Sequence, residues 1–382
     1  MMNFFERLQE LDRRWIYLIV ALAIIIPLVV PFNSKTYTTE PTEKMYQLID
    51  SYSGRSDRAV LISFLHDASV MPELYPMEIA ILRHCFERKI KVFTITFTAS
   101  GAPIIDLALN RVKEEYPEIK SGVDYCNFGF KPIILPIVLG MGENIATAID
   151  TDAEGRKIAT LPIMKDITNY NEMNLVVETS GSAAGGYWIT YARVKFGVNV
   201  AIGVTAVMAA DEFPYLQSGQ LTGMLTGLKG AAEYEKLVDV FAAYRDDSHP
   251  HGRPFSSEIL REKDTDKLVN ITTQDNAVFT TQEYQNFLNK YPTAAAILDK
   301  IKKVKDGSVM IKVTDLTQDQ KDQLGNDAWT ALKYQTHNII YKFKTARIGM
   351  NAQSIAHIMI IVFIVIGNIG YFINRKKQNL AK

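Results

Sequence analysis

Apolar residues in this chain are distributed in two ways, as long unbroken runs at the ends and as short runs of strand or helix period between them. The first end run is WIYLIVALAIIIPLVV, Trp15 to Val30, and the second is IAHIMIIVFIVIGNIGYFI, Ile355 to Ile373. At about 1.5 Å per helical residue, the first falls slightly short of a ~30 Å hydrocarbon core and the second comes closer to spanning it. Phe32 extends the first run towards an interface, and Pro27 sits near its end, where a helix break is tolerated. Arg13 and Arg14 before the run also fit a secretory signal. The PFNSKTY that follows offers no small-x-small cleavage site, which favours an uncleaved anchor.

Between the ends, short β-branched and aromatic runs alternate with helically spaced segments. Ala59 to Leu65 reads as a strand, Pro72 to Glu87 as a helix with Leu74, Met77, Ala80, Ile81 and Cys85 on its apolar face, and Lys91 to Thr98 as a second strand. The alternation continues with a helix over Pro103–Tyr116 and strands over Val123–Gly129 and Ile133–Gly140. A short helix over Asn144–Ile149, a strand over Leu175–Thr179, a helix over Gly185–Phe196 and a strand over Val198–Val204 complete it. Strands alternating with helices predict an α/β fold, doubly wound around a mostly parallel sheet. From Arg245 to Phe343 the chain is polar, with helical pieces at Gln282–Leu288 and Ala294–Ile301 and a strand at Val309–Val313, which predicts a smaller α+β insertion or appendage.

This pattern divides the chain into a tail (1–14), a transmembrane helix (15–32), an α/β domain (33–245), a subdomain (246–346), a second transmembrane helix with its lead-in (347–374) and a basic tail (375–382). Positive charge is denser outside the two spans, at Arg7, Arg13, Arg14, Arg375, Lys376, Lys377 and Lys382, although Lys35, Lys44, Lys342, Lys344 and Arg347 flank the other side. The positive-inside rule then places both termini in the cytoplasm, with the central domain extracytoplasmic or periplasmic, at the cell's inner membrane.

Charge balance removes one class of partner. Lys+Arg and Asp+Glu are equal at 42 each, so no basic surface suited to nucleic acid is expected. Cys85 and Cys126 form no C-x-x-C pair. They read as buried thiols, with pairing open only in an oxidising compartment.

Candidate chemistry follows from the sheet, because ligands of open parallel sheets gather beyond the carboxyl ends of the strands. That rule selects Asp67, Glu143 and Glu178 as polar anchors of a crevice, together with Ser180 and Ser182 in the turn ETSGSAAGGYW, Glu178 to Trp188. The same residues also serve as turn and helix caps in ordinary folds. The turn lacks G-x-G-x-x-G, a P-loop ending and G-x-S-x-G, so no cofactor is assigned and no catalytic residue is named. Asp246, Asp247, His249 and His251 in DDSHPHG form a short polar cluster read as a solvated loop rather than a metal site.

YLQSGQLTGMLTGLKGAAEYEKL, Tyr215 to Leu237, places Gly219, Gly223, Gly227 and Ala231 every four residues. On one helix they would line a single stripe. Each Gly costs about 1 kcal/mol relative to Ala, so close packing must offset it. In the second span, Gly367, Asn368 and Gly370 make a small, polar spot of the kind that faces protein.

The segments ELYPMEIAILRHCF, VLGMGENIATAI, YLQSGQLTGMLTGLKGAAEYEKL and GMNAQSIAHIMIIVFIVIGNIGYF resemble a group of uncharacterised prokaryotic membrane proteins with an anchor at each end. The resemblance covers the α/β region and the second anchor, not Arg245 to Phe343, and implies architecture only. In that group an acidic residue follows the first strand where His66 stands here.

The leading expectation is a non-enzymatic, membrane-anchored assembly protein. It forms a homo-oligomer through the glycine stripe and the second span, with the lipid bilayer and other membrane proteins as partners. A small-molecule sensor using the strand-end crevice is the alternative, and a hydrolase is the least supported.

Overall fold

A computed structural model describes residues 13–30, 32, 35–182, 186–243, 252–261, 276–305, 308–334 and 345–380. It divides into two units, one of residues 1–34 with 347–382 and one of residues 35–346.

The first unit contains helix α1 (Arg13–Val29), which is 17 residues long, includes Pro27 and exposes most of its apolar side chains. Its length falls short of a span. Phe32 O, just beyond it, accepts a 2.7 Å hydrogen bond from Asn351 Nδ2 in the long C-terminal helix.

The second unit opens with α2 (Glu40–Asp50) and then builds β1 (Ala59–Leu65), α3 (Met71–Glu87), β2 (Lys91–Thr96), α4 (Gly101–Lys113) and β3 (Tyr125–Phe130). After β3 come α5 (Ile134–Glu143), β4 (Leu175–Ser180), a π-helical stretch (Trp188–Arg193), β5 (Asn199–Val204), α6 (Ala209–Gln217), β6 (Gly223–Thr226) and α7 (Gly227–Leu237). All six strands are parallel in the order β3-β2-β1-β4-β5-β6. The sheet is doubly wound, and the order reverses between β1 and β4.

Strand register assigns the two faces. Leu61, Leu65, Ile95, Phe128, Val176, Ile202 and Met224 share one core with Val138, Met141 and Trp188, so α5 and the π-helical stretch cover that face. α6 packs on it through Ala209 and Leu216. The opposite face carries α2, α3, α4 and α7.

The helices of that opposite face are joined by buried charge. Arg83 reaches Glu115 at 2.9 Å and Asp239 at 3.3 Å. His84 stacks on Tyr46 with ring centroids 4.0 Å apart. Burial lowers the pKa of His84 and keeps the ring neutral, so Nε2 donates to Asp50 while Nδ1 accepts from the Tyr234 hydroxyl. α7 holds both limits of the unit. Glu233 accepts from Thr39 N and Oγ1 at 2.8 and 2.7 Å, Lys236 donates to Thr36 O at 2.7 Å, and Glu235 accepts from Ala346 N at 3.2 Å.

A small antiparallel sheet in the order β7-β9-β8 follows, with β7 (Asn276–Thr280), β8 (Lys303–Lys305) and β9 (Ser308–Lys312). It packs with α8 (Thr281–Lys290) and α9 (Gln318–Tyr334) around Phe279, Tyr284, Leu298 and Ile311. The last described element is α10 (Thr345–Leu380). Thr345–Ile373 within it is long and apolar enough to cross a membrane.

Two expectations from the sequence fail here. Ile133–Gly140 is not a strand: α5 occupies Ile134–Glu143, because Val138 and Met141 sit one turn apart and both enter the core. Tyr215–Leu237 is not one helix either. Gly219 (φ 73°) ends the turn after α6, Gly223 starts β6, and Gly227 (φ 53°) opens α7 before Ala231. Left-handed backbone at Gly219 and Gly227 is incompatible with a helix interior, which is why the stripe never forms. The close approach that the glycines imply is real at Gly223, where a Cβ would lie 2.5 Å from Met45 Cβ. Its neighbour is α2 of the same chain.

Candidate functional site

The reversal of strand order sets β1 beside β4 with helices departing to opposite faces, which opens the position where doubly wound sheets bind ligands. Polar side chains in these two strands go to both faces, and the two sets are built differently.

On the α3 face, Glu78 stands in the middle of α3, four residues after Leu74 and three before Ile81, and is fully buried. Its Oε1 takes 2.6 Å hydrogen bonds from His66 Nε2 and Thr179 Oγ1. His66 Nδ1 lies 3.1 Å from Asp67 O, so both ring nitrogens face acceptors and the ring sits as imidazolium. Burial alone would lower the His66 pKa. The hydrogen bond and negative charge of Glu78 outweigh it and raise the value. Only Glu78 Oε2 lacks a partner in this set.

On the α5 face, Ser63 of β1 and Glu178 of β4 are register partners in adjacent strands, so their side chains rise side by side. Trp188 comes from the π-helical stretch and Glu212 from the first turn of α6. All four residues are at most 3% exposed. Ser63 Oγ, Glu178 Oε1, Trp188 Nε1 and Glu212 Oε2 are each buried without a hydrogen-bond partner. Burial, reinforced by the negative charge of Glu212, raises the Glu178 pKa to about 8. The Trp188 indole N–H offsets this slightly, although it lies outside hydrogen-bond geometry with Glu178. Glu212 is raised in turn by burial and by Asp211. No Lys, Arg or His forms an ion pair with either carboxylate among the described residues.

The other residues selected from sequence are dispersed. Asp67 is exposed and receives Ser69 N and Oγ at 2.8 and 2.5 Å, a turn cap whose bonds lower its pKa. Glu143 is exposed at the end of α5, a helix that runs back towards the amino edge of the sheet. Its neighbour Gly142 lies against the Phe196 ring, which precedes β5, so Glu143 is not a strand-end residue. Ser180 is buried and pairs with Ser182, donating to Ser182 O at 2.9 Å while accepting from Ser182 N at 3.1 Å. Ser180 lies on the α5 face and His66 on the other, so no Ser–His pair forms.

Ala183–Gly185 of the glycine-rich turn and Asp246, Asp247, His249 and His251 lie outside the described residues. Among the described residues, no group of three or more His, Cys, Asp or Glu side chains could hold a metal. Cys85 and Cys126 are buried free thiols, and burial raises both, Cys126 to about 12. In α10, Asn368 Nδ2 donates to Ile364 O of its own helix, Gly370 is buried and Gly367 is exposed.

Sequence reasoning found Glu178 and missed its companions. Ser63 had a signal, as the one hydroxyl in the apolar strand AVLISFL. Glu78 had another, as a carboxylate on the apolar stripe of a helix. Trp188 read as part of the helix Gly185–Phe196 and Glu212 received no assignment, and only the fold brings them to Glu178.

No family model, no curated protein and no solved structure matches this chain. The fold and the site define its class. It is a doubly wound α/β domain with an uncompensated polar cluster at the strand-order reversal, followed by a helix able to cross a membrane.

Proposed function

We propose that the chain is a membrane-anchored binding protein whose α/β domain takes a small polar molecule at Ser63, Glu178, Trp188 and Glu212. The observation that carries this reading is the set of four buried polar atoms without partners on one face of the reversal point. Buried polar groups in folded proteins are almost always hydrogen-bonded, and leaving one unmade costs about 1–3 kcal/mol. A cluster of four at a ligand-binding position is economically explained by a molecule that completes it.

Helix α10 supports one membrane crossing; two spans, with cytoplasmic termini and the domain on the outer side of the membrane, rest on the apolar run Trp15 to Val30 and the flanking charges alone. Such a protein senses or presents a ligand at the membrane surface. The test is thermal unfolding of the full chain in detergent with a panel of cationic, neutral and anionic small solutes. At least one solute raises the midpoint of the wild type and acts less on Glu178→Gln. A panel without effect on either protein sinks the reading.

Assembly is the second reading, and the exposed apolar rows of α10, including Ile358, Ile361, Ile364 and Phe372, support it by suiting lipid or another helix. Mass measurement in mild detergent tests it directly. A monomer removes it, and removes with it the role given to Gly367, Asn368 and Gly370.

A further inference from the structure

Resting on that reading of the site, we infer that the ligand is a cation, specifically a small molecule bearing a primary ammonium group held between Glu178 and Glu212. Two carboxylates share one buried cluster, and neither has a basic partner among the described residues. At low dielectric two like charges cannot both persist there. Either protons neutralise them or a positive group does.

An ammonium group supplies three donors to a cluster whose open valences are mostly acceptors, the two carboxylate oxygens and the lone pairs of Ser63 Oγ. Trp188 brings its indole N–H to the same cluster, a donor for one carboxylate oxygen while the ammonium group takes the remaining acceptors. Phe97, whose ring centroid lies 6.0 Å from that of Trp188, and Ile202, the register partner of Glu178, add apolar surface suited to the carbon skeleton of the same molecule. An anionic ligand would add a third negative charge to the cluster. A neutral ligand would leave neutralisation of Glu178 and Glu212 to protons alone, whereas an ammonium group compensates the charge directly. A metal ion fits less well, since the cluster contributes two carboxylates and no third acidic, His or Cys ligand.

The experiment uses the full chain in detergent micelles, titrated calorimetrically near neutral pH with 1,4-diaminobutane, with isosteric 1,4-butanediol and with calcium chloride. The diamine is expected to bind wild type, and to bind Glu178→Gln and Glu212→Gln each about tenfold or more weakly. Asp67→Asn, at an exposed strand end outside the cluster, retains wild-type affinity. Butanediol binding as tightly as the diamine overturns the cation assignment while leaving the buried polar cluster as a binding site. Calcium binding more tightly than the diamine, with the same loss in both variants, replaces the amine by a metal. Binding of none of the three overturns the assignment, and the wider solute panel then decides whether the cluster binds anything at all.

Discussion

The two faces of the sheet meet the same reversal of strand order and answer it in opposite ways. On the α3 face, Glu78 enters with its partners, since His66 supplies a positive charge and Thr179 a hydroxyl, both at 2.6 Å. On the α5 face, Glu178 enters with another carboxylate, an indole and a hydroxyl, none of which completes it. A buried acid with its own counterion is part of the framework. A buried acid without one is the observation on which the proposed binding site rests. On the proposed reading, the difference separates framework from binding site within a few residues of one strand pair.

The largest expected effect breaks the closed face. Glu78→Ala leaves the buried His66 and Thr179 without their acceptor and should lower stability by about 3–5 kcal/mol, read by denaturant unfolding of the full chain in detergent. Glu178→Gln on the open face should be neutral or stabilising near neutral pH. If both substitutions cost the same, the two faces are not different in kind.

The next effect is pH dependence. The folded-state pKa of Glu178 lies above its unfolded value, so its contribution to stability is complete below about pH 4.5 and is lost as pH rises to about 8. Across that window the wild type should lose up to about 1.4 kcal/mol per pH unit from this group, and Glu178→Gln should lack that slope. His66 is also raised, so its contribution is present below about pH 6.5 and is lost as pH rises through its folded value. Glu78→Ala removes that later part. An unchanged slope in Glu178→Gln contradicts the assigned burial.

A smaller effect concerns packing. Gly223→Ala puts a methyl 2.5 Å from Met45 Cβ and should cost about 1–3 kcal/mol through overpacking between β6 and α2. The mass of the particle in mild detergent should not change, because the contact lies within one chain. A change of mass without a change of stability would return Gly223 to an interface between copies. The smallest effect belongs to Asp67→Ala, which loses the turn cap on Ser69 and should cost about 0.5–1.5 kcal/mol with no effect on ligand response.

The reach of the sequence can be judged from these same residues. Ala59–Leu65 and Leu175–Ser180 were legible because fully buried parallel strands are continuous apolar runs. α5 was misread because a short apolar stretch looks alike as strand or helix until its packing face is known. The glycine repeat was misread because even spacing suggested one helix, whereas positive φ at Gly219 and Gly227 divides it into turn, strand and helix start. Glu178 was visible as an acid near the carboxyl end of the predicted strand Leu175–Thr179. Glu212 and Trp188 were not, since no local pattern marks a side chain that matters only through a neighbour brought up by the fold.

The central claim is that Glu178 is a buried carboxyl without a counterion in the unliganded protein. Difference infrared spectroscopy of the full chain against Glu178→Gln, across pH 5 to 9, measures this directly by following the band of the protonated carboxyl. The account predicts a band that persists through neutral pH, titrates near 8 and is absent from the variant. A Glu178 carboxyl already ionised at pH 5 would contradict it.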